Sequence, residues 1–256
     1  MLAGADMVQE LHRHDFFFIL ALKKGAGNHE IDFTSYKVCD HAVYFMRPGQ
    51  VHRLTLKAGS TGYLMQFNTD FYFPQDKTSN QLLRETGKLN FYHPDAGQFK
   101  KLLAILTHIF QEYTGKPERF QEVIQANLSI LFIGLLRQHR SRHSNPVTPY
   151  TQERLEAFLE LLEKHLATHK QVSQYANMLN LTPYQLNAIT KATLGKPCSK
   201  IITEYNILEA KRNLLAGSSQ VNQIADLLGY EDVSYFIRFF KKQTGYTPEI
   251  FRQNFR

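Results

Sequence analysis

Apolar and polar positions change rhythm twice along the chain. Over the first seventy or so residues the apolar stretches are short: FFFILAL (16–22), EIDF (30–33), HAVYFM (41–46), HRLTLK (52–57) and YLMQF (63–67). KKGAGN, SYKVCD, RPGQ and AGSTG separate them. Short runs punctuated by Gly, Pro and Asn predict an antiparallel sandwich or barrel. From residue 98 the period lengthens. Phe99, Leu102, Leu103, Leu106, Phe110 and Tyr113 follow the three-and-four spacing of a helix stripe, which Gly115 and Pro117 end. A second helix over 118–140 carries Phe120, Val123, Ile124, Leu128, Leu131, Phe132, Leu135 and Leu136, broadened by Ile130 and Ile133. That is more apolar surface than one small sheet is expected to cover. Residues 137–151, RQHRSRHSNPVTPYT, have no apolar period and two prolines, which predicts a domain boundary with a linker over 141–151. Beyond it everything reads as helix. Leu155, Phe158, Leu159, Leu162 and Leu166 stripe the first, and five or six shorter helices follow up to Phe255.

The C-terminal part contains a repeat. VSQYANMLNLTPYQLNAITKATLGKP starts at Val172, and VNQIADLLGYEDVSYFIRFFKKQTGYTP starts at Val221. Ala176 matches Ala225, Leu179 matches Leu228 and Asn180 matches Gly229; after the turn Leu186 matches Phe236, Lys191 matches Lys241 and Gly195 matches Gly245. The second pair of helices is one residue further apart, so the second turn is one residue longer. Each copy has the physics of a helix-turn-helix. A small alanine lets a second helix cross closely, and four residues on the chain must turn left-handed, which Gly229 does freely and Asn180 tolerates. Thr182 and Asp232 are expected to cap the second helices, with Pro183 at the first helical position of one. Those helices bury Leu186 and Ile189, or Phe236, Phe239 and Phe240, and leave the opposite side free. The units are expected over about 172–194 and 221–243, joined by a helix over 199–215. Such a linker can set them ~34 Å apart, the spacing of adjacent major grooves on one face of DNA.

Charge and cysteines narrow the picture. The 256 residues carry a formal charge of +7, split as +4 over 1–151 and +3 over 152–256, so neither half is a polybasic tail. A polyanionic partner is permitted rather than demanded. Cys39 and Cys198 lie far apart with no CxxC, which excludes a disulfide framework or cysteine-rich zinc module; both are expected as small buried side chains. The longest largely apolar runs, 16–22 and 128–136, are too short for the ~18–20 residues that span a bilayer, and nothing in MLAGADMVQELHRHD marks export. A cytoplasmic protein with no membrane association is expected.

Residues 152–256 resemble the DNA-binding domain of the AraC/XylS family of bacterial transcription regulators. The segment 224–252, IADLLGYEDVSYFIRFFKKQTGYTPEIFR, matches the family signature nearly throughout. The first copy departs from the family at Asn180, where glycine is usual, and at Thr190, where phenylalanine is. The resemblance implies that the second helix of each unit enters a major groove of double-stranded DNA. By position, Tyr184, Asn187 and Ala188 then read bases in the first unit, and Val233, Ser234, Ile237 and Arg238 in the second. Asn187 suits adenine, Arg238 guanine, and Ile237 and Val233 thymine methyls. Gln185, Lys191, Lys241 and Lys242 suit phosphates, which fix register without reading sequence.

Residues 12–54 resemble the cupin-like sensor domain of the same family, with RPGQVH (47–52) as its barrel turn. The fold expected is α+β in two domains. A cupin-like β-barrel with a C-terminal helical dimerisation element (1–140) precedes an all-α domain with two helix-turn-helix units joined by a linker helix (152–256). His14, Phe18, Tyr44, Met46, His52 and Phe67 are expected to line the cavity for a small-molecule effector, subject to strand register. Metal-binding cupins use a His-x-His pair, a nearby glutamate and a third histidine. Here His12, His14 and His52 are present and the glutamate is missing. Three imidazoles suffice for zinc in principle, but the reading favours histidines hydrogen-bonded within the sheet, with no metal and no cofactor. The expected partners are DNA, the effector and a second copy of the chain packed through the helix at 118–140, with RNA polymerase as a further candidate. The alternative from another class is a cupin-type metal-dependent enzyme with an accessory helical domain. The missing glutamate and the repeat count against it. A fused DNA-repair methyltransferase lacks its cysteines.

Overall fold

The computed structural model describes residues 5–72, 77–142 and 148–255. The chain divides into two compact units, residues 1–144 and 145–256. Of the linker expected over 141–151, residues 141–142 close one helix and 149–151 open the next, while 143–147 lie outside the described residues.

Among the described residues the first unit holds eight strands: β1 (Met7–Arg13), β2 (Phe17–Lys24), β3 (Gly27–Ile31), β4 (Thr34–Val38), β5 (Ala42–Met46), β6 (Val51–Leu56), β7 (Thr61–Phe67) and β8 (Phe91–Tyr92). They form two four-stranded sheets in the orders β1-β6-β3-β4 and β7-β2-β5-β8, with antiparallel pairing. Helices α1 (Lys77–Gly87), α2 (Ala96–Gly115) and α3 (Phe120–Arg142) belong to the same unit. The continuous apolar run at β2 exists because both faces of the strand are covered. Phe18, Leu20 and Leu22 join Tyr44, Met46, Ile31, Val38, Leu54 and Leu56 in a core that draws on both sheets. Phe17, Ile19 and Ala21 point the other way, into a core with Val43, Phe45, Phe67 and the helix residues Phe99, Leu102, Leu106, Leu128, Leu131, Phe132 and Leu135. Each fully buried side chain of this size contributes about 1.5–3 kcal/mol relative to exposure. Much of the wide apolar stripe on α3 is therefore spent inside its own unit. Phe110 and Tyr113 on α2 and Ile130 and Ile133 on α3 stay exposed.

Three local features differ from the sequence reading. EIDF does not continue as a strand: Asp32 and Phe33 take left-handed backbone (φ 47 and 67) and reverse the chain into β4, within the SYKVCD segment read as a separator. The polar alternation of MVQELHR forms β1, and the weakly apolar KTSNQLLRETG forms α1.

The second unit is helical: α4 (Pro149–His165), α5 (Val172–Met178), α6 (Pro183–Leu194), α7 (Cys198–Ala216), α8 (Val221–Leu227), α9 (Val233–Thr244) and α10 (Pro248–Phe255). Leu155, Phe158, Leu162, Tyr175, Leu186, Ile189 and Cys198 share one core, which α4 closes over the first helix pair. Burial pushes the Cys198 thiol up to about 12, so it is an inert packing group.

Candidate nucleic-acid interface and histidine cluster

The repeat is realised in geometry. Ala176 and Ala225 are fully buried at the two helix crossings. Asn180 and Gly229 both turn left-handed, with φ 54 and 75. At Gly229 more than conformation is at stake, since a Cβ there would stand 1.7 Å from the Ala167 carbonyl oxygen. Thr182 caps α6 by accepting from the Gln185 N–H, and Asp232 caps α9 by accepting from the Ser234 N–H. Both helices run twelve residues and end on left-handed glycines, Gly195 and Gly245, whose N–H groups donate to the Lys191 and Lys241 carbonyls. Gln174 and Gln223, one at the start of each unit, each accept from the backbone N–H three residues earlier, a repeated cap the sequence reading missed.

On α6, Tyr184 is 83% exposed, and Gln185, Ala188 and Lys191 are exposed too. The Gln185 carbonyl end folds back onto Thr182, which leaves its NH2 free to face outward. Asn187 is placed differently from the rest. Its Nδ2 donates to the Pro183 carbonyl at 3.0 Å and its Oδ1 accepts from the Cys198 N–H at 2.9 Å, so the amide clamps α6 to the start of α7. Bidentate reading of adenine by Asn187 requires both of these bonds to break on DNA. On α9, Ser234, Arg238, Lys241 and Lys242 are exposed, while Val233 and Ile237 are half-buried at the margin. The Arg238 guanidinium lies 3.7 Å from Asp232, an open pair in which both side chains face water. Phe236 and Phe240 are fully buried beneath them.

A second contact, within the helical unit, ties the two helix-turn-helix copies together. Lys170 Nζ donates to the Leu166 carbonyl (2.5 Å), Asn206 Oδ1 (2.6 Å) and the Leu228 carbonyl (2.6 Å), and lies 4.7 Å from the centre of the Tyr230 ring. One ammonium group thus joins the end of α4, the linker helix α7 and the turn of the second unit. Burial lowers its pKa to about 8.

In the first unit the six expected cavity residues separate. Phe18, Tyr44 and Met46 share the inter-sheet core, the His52 ring meets Phe18 at a steep tilt, and His14 sits at the half-exposed margin. Phe67 does not join them. It pairs with Phe17 in the β2–β7 register and therefore faces α3, in ring contact with Tyr72 and Phe132. Position parity across that ladder decides the face.

The histidines converge. A bulge between Gln9 and His12 inserts one extra residue in β1 and sets His12 opposite His52. His14, two residues on, is held by its carbonyl accepting from the Gly49 N–H in the Arg47–Gln50 turn. His52 Nε2 lies 2.8 Å from His14 Nε2 and 3.2 Å from His12 Nε2. His29, which sequence reading missed, reaches His52 Nδ1 with its Nε2 at 3.0 Å. Burial lowers the pKa of both His29 and His52 to about 3, so each is a neutral imidazole at neutral pH.

Comparison with known proteins finds relatives of both kinds of domain. The family model of the AraC-like ligand binding domain matches residues 5–167, and that of a helix-turn-helix domain matches residues 175–254. The transcriptional activator RhaS of Pectobacterium carotovorum is 24% identical over 248 residues, 94% of this chain and 86% of the relative. The activator RhaR of Cronobacter sakazakii is 21% identical over 252 residues, again 94% and 86%. The solved structure of ToxT from Vibrio cholerae O395 aligns over 98% of each chain at 13% identity, with a TM-score of 0.46. The chain belongs to the AraC/XylS family of bacterial transcription regulators, with a ligand-binding domain followed by a DNA-binding helix-turn-helix domain.

Proposed function

We propose that α6 and α9 enter successive major grooves of a duplex, with Tyr184, Ala188, Val233, Ser234, Ile237 and Arg238 at the bases and Gln185, Lys191, Lys241 and Lys242 at the phosphates. The observation that carries this reading is the pair of twelve-residue helices, each capped by a side chain at its start and by a left-handed glycine at its end, buried on one side and exposed on the other. Asn187 serves it indirectly, by holding α6 against α7. A small-molecule effector binds the first unit on the side of His14, Phe18, Tyr44, Met46 and His52. It alters DNA binding by favouring one arrangement of the two units over another, which requires different effector affinity in the two. Two copies pair through the exposed apolar residues of α3, and the protein acts in the cytoplasm as an activator that engages RNA polymerase, in line with the activator names of RhaS and RhaR. It is a regulator rather than an enzyme.

The test is binding to an operator selected from random DNA. Arg238→Ala is expected to weaken the preferred site by about 1–3 kcal/mol and relax one base position. Lys241→Ala is expected to weaken all sequences alike and flatten the salt slope by about one. Undiminished affinity in Arg238→Ala removes Arg238 from the reading face.

A further inference from the structure

We infer that His12, His14 and His52 form a binding site for a zinc-class divalent cation, with His29 behind His52 as a positioning residue. One ring nitrogen from each residue lies within 4.8 Å of the other two, and His52 Nε2 stands 2.8 Å from His14 Nε2 and 3.2 Å from His12 Nε2. Tetrahedral zinc with bonds of ~2.0–2.1 Å to nitrogen sets its ligands about 3.3 Å apart, so the rings already approach that spacing.

Proton positions favour the same reading. His12 Nδ1 lies 2.5 Å from the Glu10 carbonyl, which can only accept, so Nδ1 carries the hydrogen. In the neutral ring the lone pair is then on Nε2, aimed at His52. His52 Nδ1 meets His29 Nε2 at 3.0 Å, and an N–H donated there likewise frees its Nε2 lone pair. Lone pairs that face one another repel unless a proton or a cation lies between them. A proton answers two of the three nitrogens well; a cation answers all three. Metal-bound imidazoles usually donate their other N–H to an acceptor, and His12 and His52 both have one. His29 is fully buried, and its Nδ1 has no hydrogen-bond partner among the described residues, a cost without evident structural return unless the ring serves His52.

The donor set names the metal class. Imidazoles without thiolate or carboxylate suit zinc, cobalt, nickel or copper rather than magnesium or calcium. Three protein donors leave the fourth position to water. The site owes its existence to the β1 bulge, which turns His12 to the face of His52, and to the Arg47–Gln50 turn, which holds His14.

The experiment uses the full chain without a histidine tag, stripped by chelator and titrated with Co2+ in the absence of DNA. One cobalt per chain, with the visible absorption of four-coordinate Co2+, displacement by Zn2+ and a raised melting temperature, is expected. His12→Gln and His14→Gln change half-exposed positions and are expected to keep the apo melting temperature while weakening binding at least ~100-fold. His29→Leu is expected to weaken it ~10–100-fold. Occupancy well below one cobalt per chain, or binding unchanged in the His12→Gln/His14→Gln double variant, overturns the site. Neither outcome bears on operator binding, which is measured separately.

Discussion

Gly229 and Asn180 hold the same place in two turns but differ in what surrounds them. Both need left-handed backbone, and at Gly229 the Ala167 carbonyl also occupies the space of a side chain. Gly229→Ala combines strain of ~1–3 kcal/mol with that overlap and is expected to lower the melting temperature of the second unit markedly. Asn180→Gly is expected to stay within about 1 kcal/mol of the parent. Equal stability of Gly229→Ala in a thermal melt contradicts this placement. The left-handed pair was legible in the sequence because a repeat in register exposes which position must turn. The role of Asn187 was not, since its partner is the backbone of Cys198, a helix later. A polar residue on an outward-looking helix face reads the same whether it meets DNA or caps a neighbour.

Between elements, register decides what periodicity leaves open. The apolar run of β2 announced a strand covered on both sides, yet only its pairing with β7 sends Phe67 to the helices. His29 joins His52 because β3 lies beside β6, a neighbour relation that no local pattern encodes. β1 and α1 escaped because their apolar content is low, and β4 because a chain reversal at Asp32 and Phe33 has none of the usual glycine or asparagine signals. Lys170 acts at the same scale, tying α4, α7 and the turn after α8 with one ammonium group. Lys170→Met leaves three oxygens without that donor and is expected to cost about 1–3 kcal/mol. It also removes a pH dependence. Between about 8, the pKa of Lys170 in the fold, and its ordinary 10.5, the unfolded chain holds more protons. Stability therefore rises with pH through that interval. Above pH 10, Tyr175, whose pKa is raised to about 12 by burial, acts in the opposite sense. Melting the parent and Lys170→Met at pH 7.5–9.5 (about two units around the Lys170 value) is expected to show the parent gaining on the variant. Parallel profiles contradict it.

For the whole molecule, assembly and DNA geometry are the open consequences. Ile130 and Ile133 stay exposed on a helix whose Ile124, Leu128, Leu131, Phe132 and Leu135 are buried in its own unit. Ile130→Glu/Ile133→Glu is expected to turn a dimer into a folded monomer in sedimentation, with a melting temperature lower than the parent's and no longer dependent on protein concentration; a monomeric parent at micromolar concentration refutes the dimer. Two reading helices per chain, joined by α7 and clamped by Lys170, are expected to engage half-sites at one fixed spacing. The most direct measurement is the affinity for a selected operator before and after inserting about five base pairs, half a helical turn, between its halves. Loss of at least ~100-fold, towards non-specific binding, is expected. Unchanged affinity means the two helices do not read DNA as one rigid pair.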